Sequence, residues 1–229
     1  MKEEEGRAQK VRWVTVDSQQ KLATENFVQG NKVYDERFVS VEGKEYRLWD
    51  PFRSKLAAAI TKGLEIMPIV EGSSVLYLGA STGTTVSHIS DIIGKSGIVY
   101  GVEVSARVAR EFMQNVAEKR SNIIPIVADA RKPEFYGVIL SKVDVVYADI
   151  AQPDQTQITI LNCHAHLKRG GCLLMVVKSR SIDVTKEPRE VFLEETRKLQ
   201  DGGFAVKQVL KLEPFDKDHA MILAYLPEH

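Results

Sequence analysis

The sequence predicts a doubly wound α/β fold of the Rossmann-like class. It has a seven-stranded sheet whose last strand is antiparallel, and a small antiparallel β unit ahead of it. Three observations predict it. An apolar run rich in β-formers, Val75 to Leu78, stops at Gly79, and a helical pattern opens at Thr84. Beyond it, short apolar runs alternate with helical patterns almost to the C-terminus. The last two runs are joined only by Glu213-Pro214-Phe215-Asp216-Lys217-Asp218, too short for a crossover helix, so they must pair antiparallel.

Taken in order, residues 1–10 read as a frayed start. Val11 to Val16 and Arg37 to Val41 alternate in part, and Gln29 to Lys32 and Glu42 to Lys44 look like turns. They form a β unit over 1–50 with too little apolar content to stand alone, leaving 51–229 as the main domain. After Trp49-Asp50-Pro51-Phe52-Arg53, a helix places Leu56, Ala59, Ile60 and Leu64 on one face. Lys55 falls in or near its first turn, where the helix dipole disfavours a cation. Helices are then expected at about 84–93, 105–119, 153–168 and 186–201. Strands are expected at about 98–103, 123–128, 143–149, 172–178, 204–212 and 219–226, with Gly170-Gly171 and Gly202-Gly203 each ending a helix.

Bulk properties bound the function. Lys+Arg and Asp+Glu both number 31, so the net charge is zero and a polyanion partner needs a local patch. The charged start Met1-Lys2-Glu3-Glu4-Glu5 is unlike a secretory signal, no apolar run is long enough to span a membrane, and a cytoplasmic protein is expected. Cys163 and Cys172 make neither a disulfide framework nor a metal cluster, and His164 and His166 do not share a helix face. No metal site is expected.

Chemistry is expected at the carboxyl ends of the strands. Gly79-Ala80-Ser81-Thr82-Gly83 has the G-x-x-x-G spacing often found where adenosyl cofactors sit, not the G-x-G-x-x-G of dinucleotide enzymes. Three successive runs end in a carboxylate, at Glu103, Asp129 and Asp149, and Glu103 suits ribose hydroxyls. Topology brings Lys178 and His219 to the same edge as Asp149. Each alone is more often structural than catalytic, and it is their convergence that points to a site.

Together these blocks resemble fibrillarin, the ribose 2′-O-methyltransferase of box C/D guide ribonucleoproteins. The resemblance covers roughly residue 11 to the C-terminus. It is carried by Arg53-Ser54-Lys55-Leu56, the glycine turn, Ala128-Asp129-Ala130-Arg131, Tyr147-Ala148-Asp149-Ile150-Ala151-Gln152-Pro153, Ser181-Ile182-Asp183-Val184-Thr185 and Asp216-Lys217-Asp218-His219-Ala220-Met221. Val104 and Ala106 depart from the family's commoner aromatic and proline, and the Gly/Arg-rich tail of eukaryotic members is not seen, as in archaeal forms. The resemblance implies S-adenosyl-L-methionine as cofactor and a catalytic set of Lys55, Asp149, Lys178 and His219. It places cofactor contacts at Gly79, Ala80, Thr84, Thr85, Glu103, Val104, Asp129, Ala130, Asp149, Ile150, Ala151 and Gln152. It also implies a Nop-family scaffold protein, a kink-turn-binding ribosomal protein, guide RNA and target rRNA as partners. Lys178 is the candidate base and His219 positions the ribose or relays the proton. The residues alone leave open a methyltransferase for protein or small molecules, and a non-catalytic scaffold.

Overall fold

The computed structural model describes residues 10–228, so the frayed start expected over 1–10 lies almost wholly outside the described residues. Four strands come first: β1 (Val11–Val16), β2 (Gln19–Glu25), β3 (Phe38–Val41) and β4 (Lys44–Leu48). They form an antiparallel sheet in the order β1-β2-β4-β3. Its own apolar cluster is Val14, Val16, Ala23 and Tyr46, too small to hold a sheet by itself. Leu22 and Trp49 instead join the core of the main sheet.

The main sheet is assembled from α1 (Lys55–Thr61), β5 (Ser74–Leu78), α2 (Thr84–Ile93), β6 (Ile98–Glu103), α3 (Ala106–Asn115), β7 (Ile123–Val127) and β8 (Val143–Ala148), followed by α4 (Gln155–His166), β9 (Leu167–Lys178), α5 (Ser179–Ile182), α6 (Pro188–Asp201), β10 (Ala205–Lys211) and β11 (His219–Tyr225). Strand order is β10-β11-β9-β8-β5-β6-β7, and only β11 runs against its neighbours. The order reverses at β5, where β6 and β8 lie on opposite sides, and in open α/β sheets this switch point is where ligands bind, beyond the carboxyl ends. Alternate residues of each strand serve opposite cores. Val75 and Tyr77 pack with α1 and α2, while Leu76 and Leu78 pack with Phe192 and Leu199 of α6. No helix among the described residues is long and apolar enough to cross a membrane.

Three expectations need correction. Leu64 lies beyond α1, which stops at Thr61 before Lys62 and Gly63, the latter at φ 93°. The helix expected over 105–119 ends at Asn115, and Ala117–Lys119 is a separate 3-10 turn. Gly170-Gly171 does not end a helix: α4 stops at His166, and the glycines lie within β9, where its register on β8 slips between Leu167 and Cys172. Gly170 takes φ 74°, so here the glycine serves a strand irregularity. Gly202-Gly203 does follow α6, with Gly203 at φ 88°.

Candidate active site

The glycine turn is held by backbone. Gly79 and Ala80 donate to the carbonyl of Val102 at 2.9 and 3.0 Å, tying the turn to β6. Gly79 has φ 82°, and a Cβ there would lie 2.7 Å from the Asp149 carbonyl oxygen. The side chain is missing because two strand ends must approach closely. Gly83, at φ 91°, starts α2 with no side-chain cap. The first amides of α2 therefore meet no capping side chain, and they carry the positive end of the helix dipole. Glu103 closes the rim, its carboxylate accepting from Ser81 N at 3.0 Å and Ser105 N at 2.9 Å.

Beside the turn, side chains from α1, the end of β8, β9 and the β10–β11 hairpin meet. Ser54 caps α1 by accepting from Ala57 N, which sets Lys55 as the first helical residue. Lys55 Nζ reaches Asp149 Oδ2 at 3.3 Å and Asp216 Oδ2 at 3.6 Å. From the end of β9, Lys178 Nζ lies 2.7 Å from Asp149 Oδ1. That approach is off the direction of a hydrogen bond. The amine donates instead to the Asp149 carbonyl at 2.9 Å, and Oδ1 has no hydrogen bond among the described residues. His219 is paired opposite Lys178 across β9 and β11, so strand register puts both on one face. Its Nδ1 is 2.6 Å from the Lys217 carbonyl and 2.9 Å from Asp216 Oδ1. Both partners only accept, so Nδ1 carries a proton, and in the neutral ring it is Nε2 that has the lone pair. Burial pushes the Asp216 carboxyl up, but His219 and then Lys55 outweigh it and hold it below the ordinary range.

A glycine turn into an uncapped helix, a carboxylate ending β6 and a Lys–Asp–Lys group thus meet at the switch point of the sheet. The comparisons with known proteins decide the family. The family model for Fibrillarin matches residues 2–228. The chain belongs to the fibrillarin family. The fibrillarin-like rRNA/tRNA 2′-O-methyltransferase of Sulfurisphaera tokodaii is 55% identical over 208 residues, 91% of this chain and 89% of the relative. Aeropyrum pernix fibrillarin, solved with natively bound S-adenosyl-L-methionine, superposes with a TM-score of 0.88 at 49% identity, covering 96% of this chain and 95% of the other. The fibrillarin of a fibrillarin/Nop5p complex superposes at 0.83 with 41% identity, covering 95% and 98%.

Within this member of the fibrillarin family, the four expected catalytic residues fall into two linked pairs of contacts. Lys55 and Lys178 both touch Asp149 directly. Among the described residues, the His219 side chain reaches them through Asp216, which contacts His219 and Lys55 at once. Sequence reasoning missed Asp216 as a site residue, although it opens one of the blocks that carry the fibrillarin resemblance. The Thr85 hydroxyl donates to Ser54 Oγ at 3.0 Å and so ties the start of α2 to the cap of α1. Val104 is exposed at the rim. Asp129 accepts from Arg131 N at 2.9 Å, and Arg131 in turn holds Gln152 and Asp154 at 2.9 and 2.8 Å. One arginine thus ties the end of β7 to the segment after β8, Asp149 to Gln152.

Proposed function

We propose that this chain is an S-adenosylmethionine-dependent ribose 2′-O-methyltransferase of RNA, the catalytic subunit of a box C/D guide ribonucleoprotein acting on rRNA, and on tRNA where a guide selects it. The observation that carries this reading is the group formed by Lys55, Asp149 and Lys178 beside the uncapped start of α2. Support comes from the Sulfurisphaera relative, which bears that activity in its name, and from the Aeropyrum fibrillarin, which holds the cofactor. The fibrillarin/Nop5p complex supports a Nop-family scaffold as partner. A kink-turn-binding ribosomal protein, the guide RNA and the target strand complete the assembly in this reading.

The residues present fit the cofactor. The amides at the start of α2 have no side-chain cap, Glu103 stands at the rim, and buried Asp149 Oδ1, 2.7 Å from the Lys178 amine, has no hydrogen bond among the described residues. Gly79, Ala80 and Thr84 would hold it through backbone, Glu103 through ribose hydroxyls, and Asp129 and Ala130 at its base. Bound there, S-adenosylmethionine supplies a methyl group made electrophilic by a sulfonium charge. A hydroxyl is a poor nucleophile until its proton is leaving. Lys178, in its neutral form, accepts that proton. Lys55 faces two carboxylates, Asp149 and Asp216, and the negative charge they place there suits a cationic donor. Asp149 orients both amines, and His219 positions the ribose. Alignment of donor and acceptor supplies most of the rate.

The test is a methylation assay with labelled cofactor on guide-paired RNA, with and without partner proteins. Lys178→Arg should bind cofactor and transfer nothing, because a guanidinium does not release its proton near neutral pH. A second reading has its own observation: the lone pair on His219 Nε2 makes His219, oriented by Asp216, a candidate base. Near wild-type turnover by Lys178→Arg, with turnover abolished in His219→Gln, would select it.

A further inference from the structure

We infer that the cleft on the outer side of His219 holds the RNA backbone, with the phosphodiester 3′ to the acceptor ribose lying among Arg180, Arg189, Lys211 and Lys217. This rests on the ribose-methylation reading and names the part of the substrate that site must also accommodate. The cleft measures about 360 Å³ and shares His219 with the catalytic group. The chemistry of the acceptor demands such a place. A 2′-hydroxyl sits on the carbon next to the one that carries the 3′-phosphate. Any side chain that contacts the hydroxyl therefore has a phosphodiester close beside it, and a buried or unpaired phosphate is costly.

Charge decides which way the strand leaves. The His219 cleft is lined by four cations against Glu187, Glu213 and Asp218. Asp218 is already engaged by Arg180 Nε at 3.1 Å. Among the described residues, no carboxylate pairs with Arg189, Lys211 or Lys217. On the other side of the catalytic group a larger cleft, about 750 Å³, lies against Phe52 and Phe215. There Asp17 is paired with Arg37 and Glu36 with Arg47, which leaves Asp35 and Asp50 against Lys21 and Arg53, with no excess of positive charge to meet a phosphate.

The cationic cleft is also positioned by the fold. Lys211 ends β10 opposite Ala220, one residue past His219. Arg189 is the second residue of α6, where the dipole disfavours a cation that has no anion to meet. Arg180 is held by Asp218 and by the carbonyls of Val184 and Lys186 at 3.1 and 3.4 Å, which fixes one wall. A guanidinium so anchored loses little entropy on meeting a phosphate.

The experiment measures methylation by the assembled complex, wild type against the Arg189→Gln/Lys217→Gln double variant. Both residues are exposed, so folding is retained, and unchanged cofactor affinity by calorimetry verifies it. The target RNA is either native or carries a single uncharged methylphosphonate 3′ to the acceptor. We expect the double variant to raise KM for native RNA about 10-fold, with kcat within about 2-fold, and to lower the salt slope by roughly one. The methylphosphonate should cost wild type a similar factor and the variant little more, because both remove one contact. Lys211→Gln should move KM in the same direction. An unchanged KM in the double variant, or penalties that simply multiply, overturns the inference and leaves the reaction intact. A wild-type complex that methylates no RNA overturns the reaction and the inference together.

Discussion

At the scale of the single residue, Glu103 and Asp216 show what a sequence displays and what it hides. Glu103 was legible because its distance from the glycine turn and its place at a strand end are both sequence properties. Its second job was not. It accepts two loop amides, from Ser81 and Ser105, one on each oxygen. Glu103→Ala should therefore weaken S-adenosylmethionine binding by about 1.5–3 kcal/mol, the worth of a charged hydrogen bond. Part of that loss should come from loosening the loop. Unchanged affinity by calorimetry in the folded variant would remove Glu103 from the cofactor site. Asp216 was hidden because its partners lie far away in sequence or across a turn, and an acid in a hairpin loop reads as solvated. Asp216→Asn keeps its shape and removes its charge. It should lower kcat by roughly 10- to 100-fold, in the range of a positioning contact, and leave cofactor affinity alone. If His219 is the base, the same variant should also change the pH profile of kcat; a purely structural Asp216 would not.

At the scale of the element, what was legible followed from period and what was not followed from polarity. The inner strands of the main sheet are apolar runs because both of its faces are covered there, whereas the edge strand β10 alternates exposed residues with half-buried ones. β2 and β4 gave no such signal. β2 opens Gln19-Gln20-Lys21, and β4 reads Lys44-Glu45-Tyr46-Arg47-Leu48 with Arg47 facing inward. A buried arginine breaks the alternation that marks a strand, and only its partners make it tolerable. The spacing of the glycine turn does not show that Gly83 is also a packing requirement. A Cβ there would stand 2.5 Å from Phe112 Cδ2 and 2.7 Å from Val116 Cγ2, with the backbone at φ 91°. Gly83→Ala should then cost about 1–3 kcal/mol in urea denaturation, through overpacking and left-handed strain together. A loss below about 0.5 kcal/mol would show that α3 yields at no cost.

At the scale of the whole molecule, the N-terminal sheet meets α2 through buried charge, beside the apolar contacts of Leu22 and Trp49. Arg47 of β4 binds Asp91 of α2 at 2.9 Å and Glu36 at 2.8 Å, and Arg120 binds the other oxygen of Asp91 at 2.6 Å. All four are buried, and the group is balanced, two cations on two carboxylates. Desolvation of such a group offsets much of its attraction, so its value lies in fixing one docking geometry; loss of a partner leaves a charge stranded. His88 sits in the middle, stacked on Trp49 at 4.7 Å. Thr24 Oγ1 donates to Asp91 at 2.7 Å, so it accepts from His88 Nδ1–H at 2.8 Å, and Tyr34 lies 2.6 Å from Nε2. The ring is neutral. Burial first, then Arg47 and Arg120, push it well below the ordinary histidine value. The sign follows from linkage. Below about pH 6.5 the unfolded chain takes up a proton that folded His88 refuses, so the unfolded state binds more protons and stability falls as pH falls. His166, lowered by burial, adds in the same direction. Asp216 joins only at lower pH, as its depressed carboxyl becomes protonated. Urea midpoints should therefore decline from pH 7 to pH 5, with His88 contributing at most about tenfold in the unfolding equilibrium per pH unit. His88→Gln keeps a donor and an acceptor but cannot titrate. It should be less stable at pH 7 and show a shallower decline. An identical slope in the variant would place the acid sensitivity elsewhere and leave the docking of the two sheets indifferent to the charge on His88.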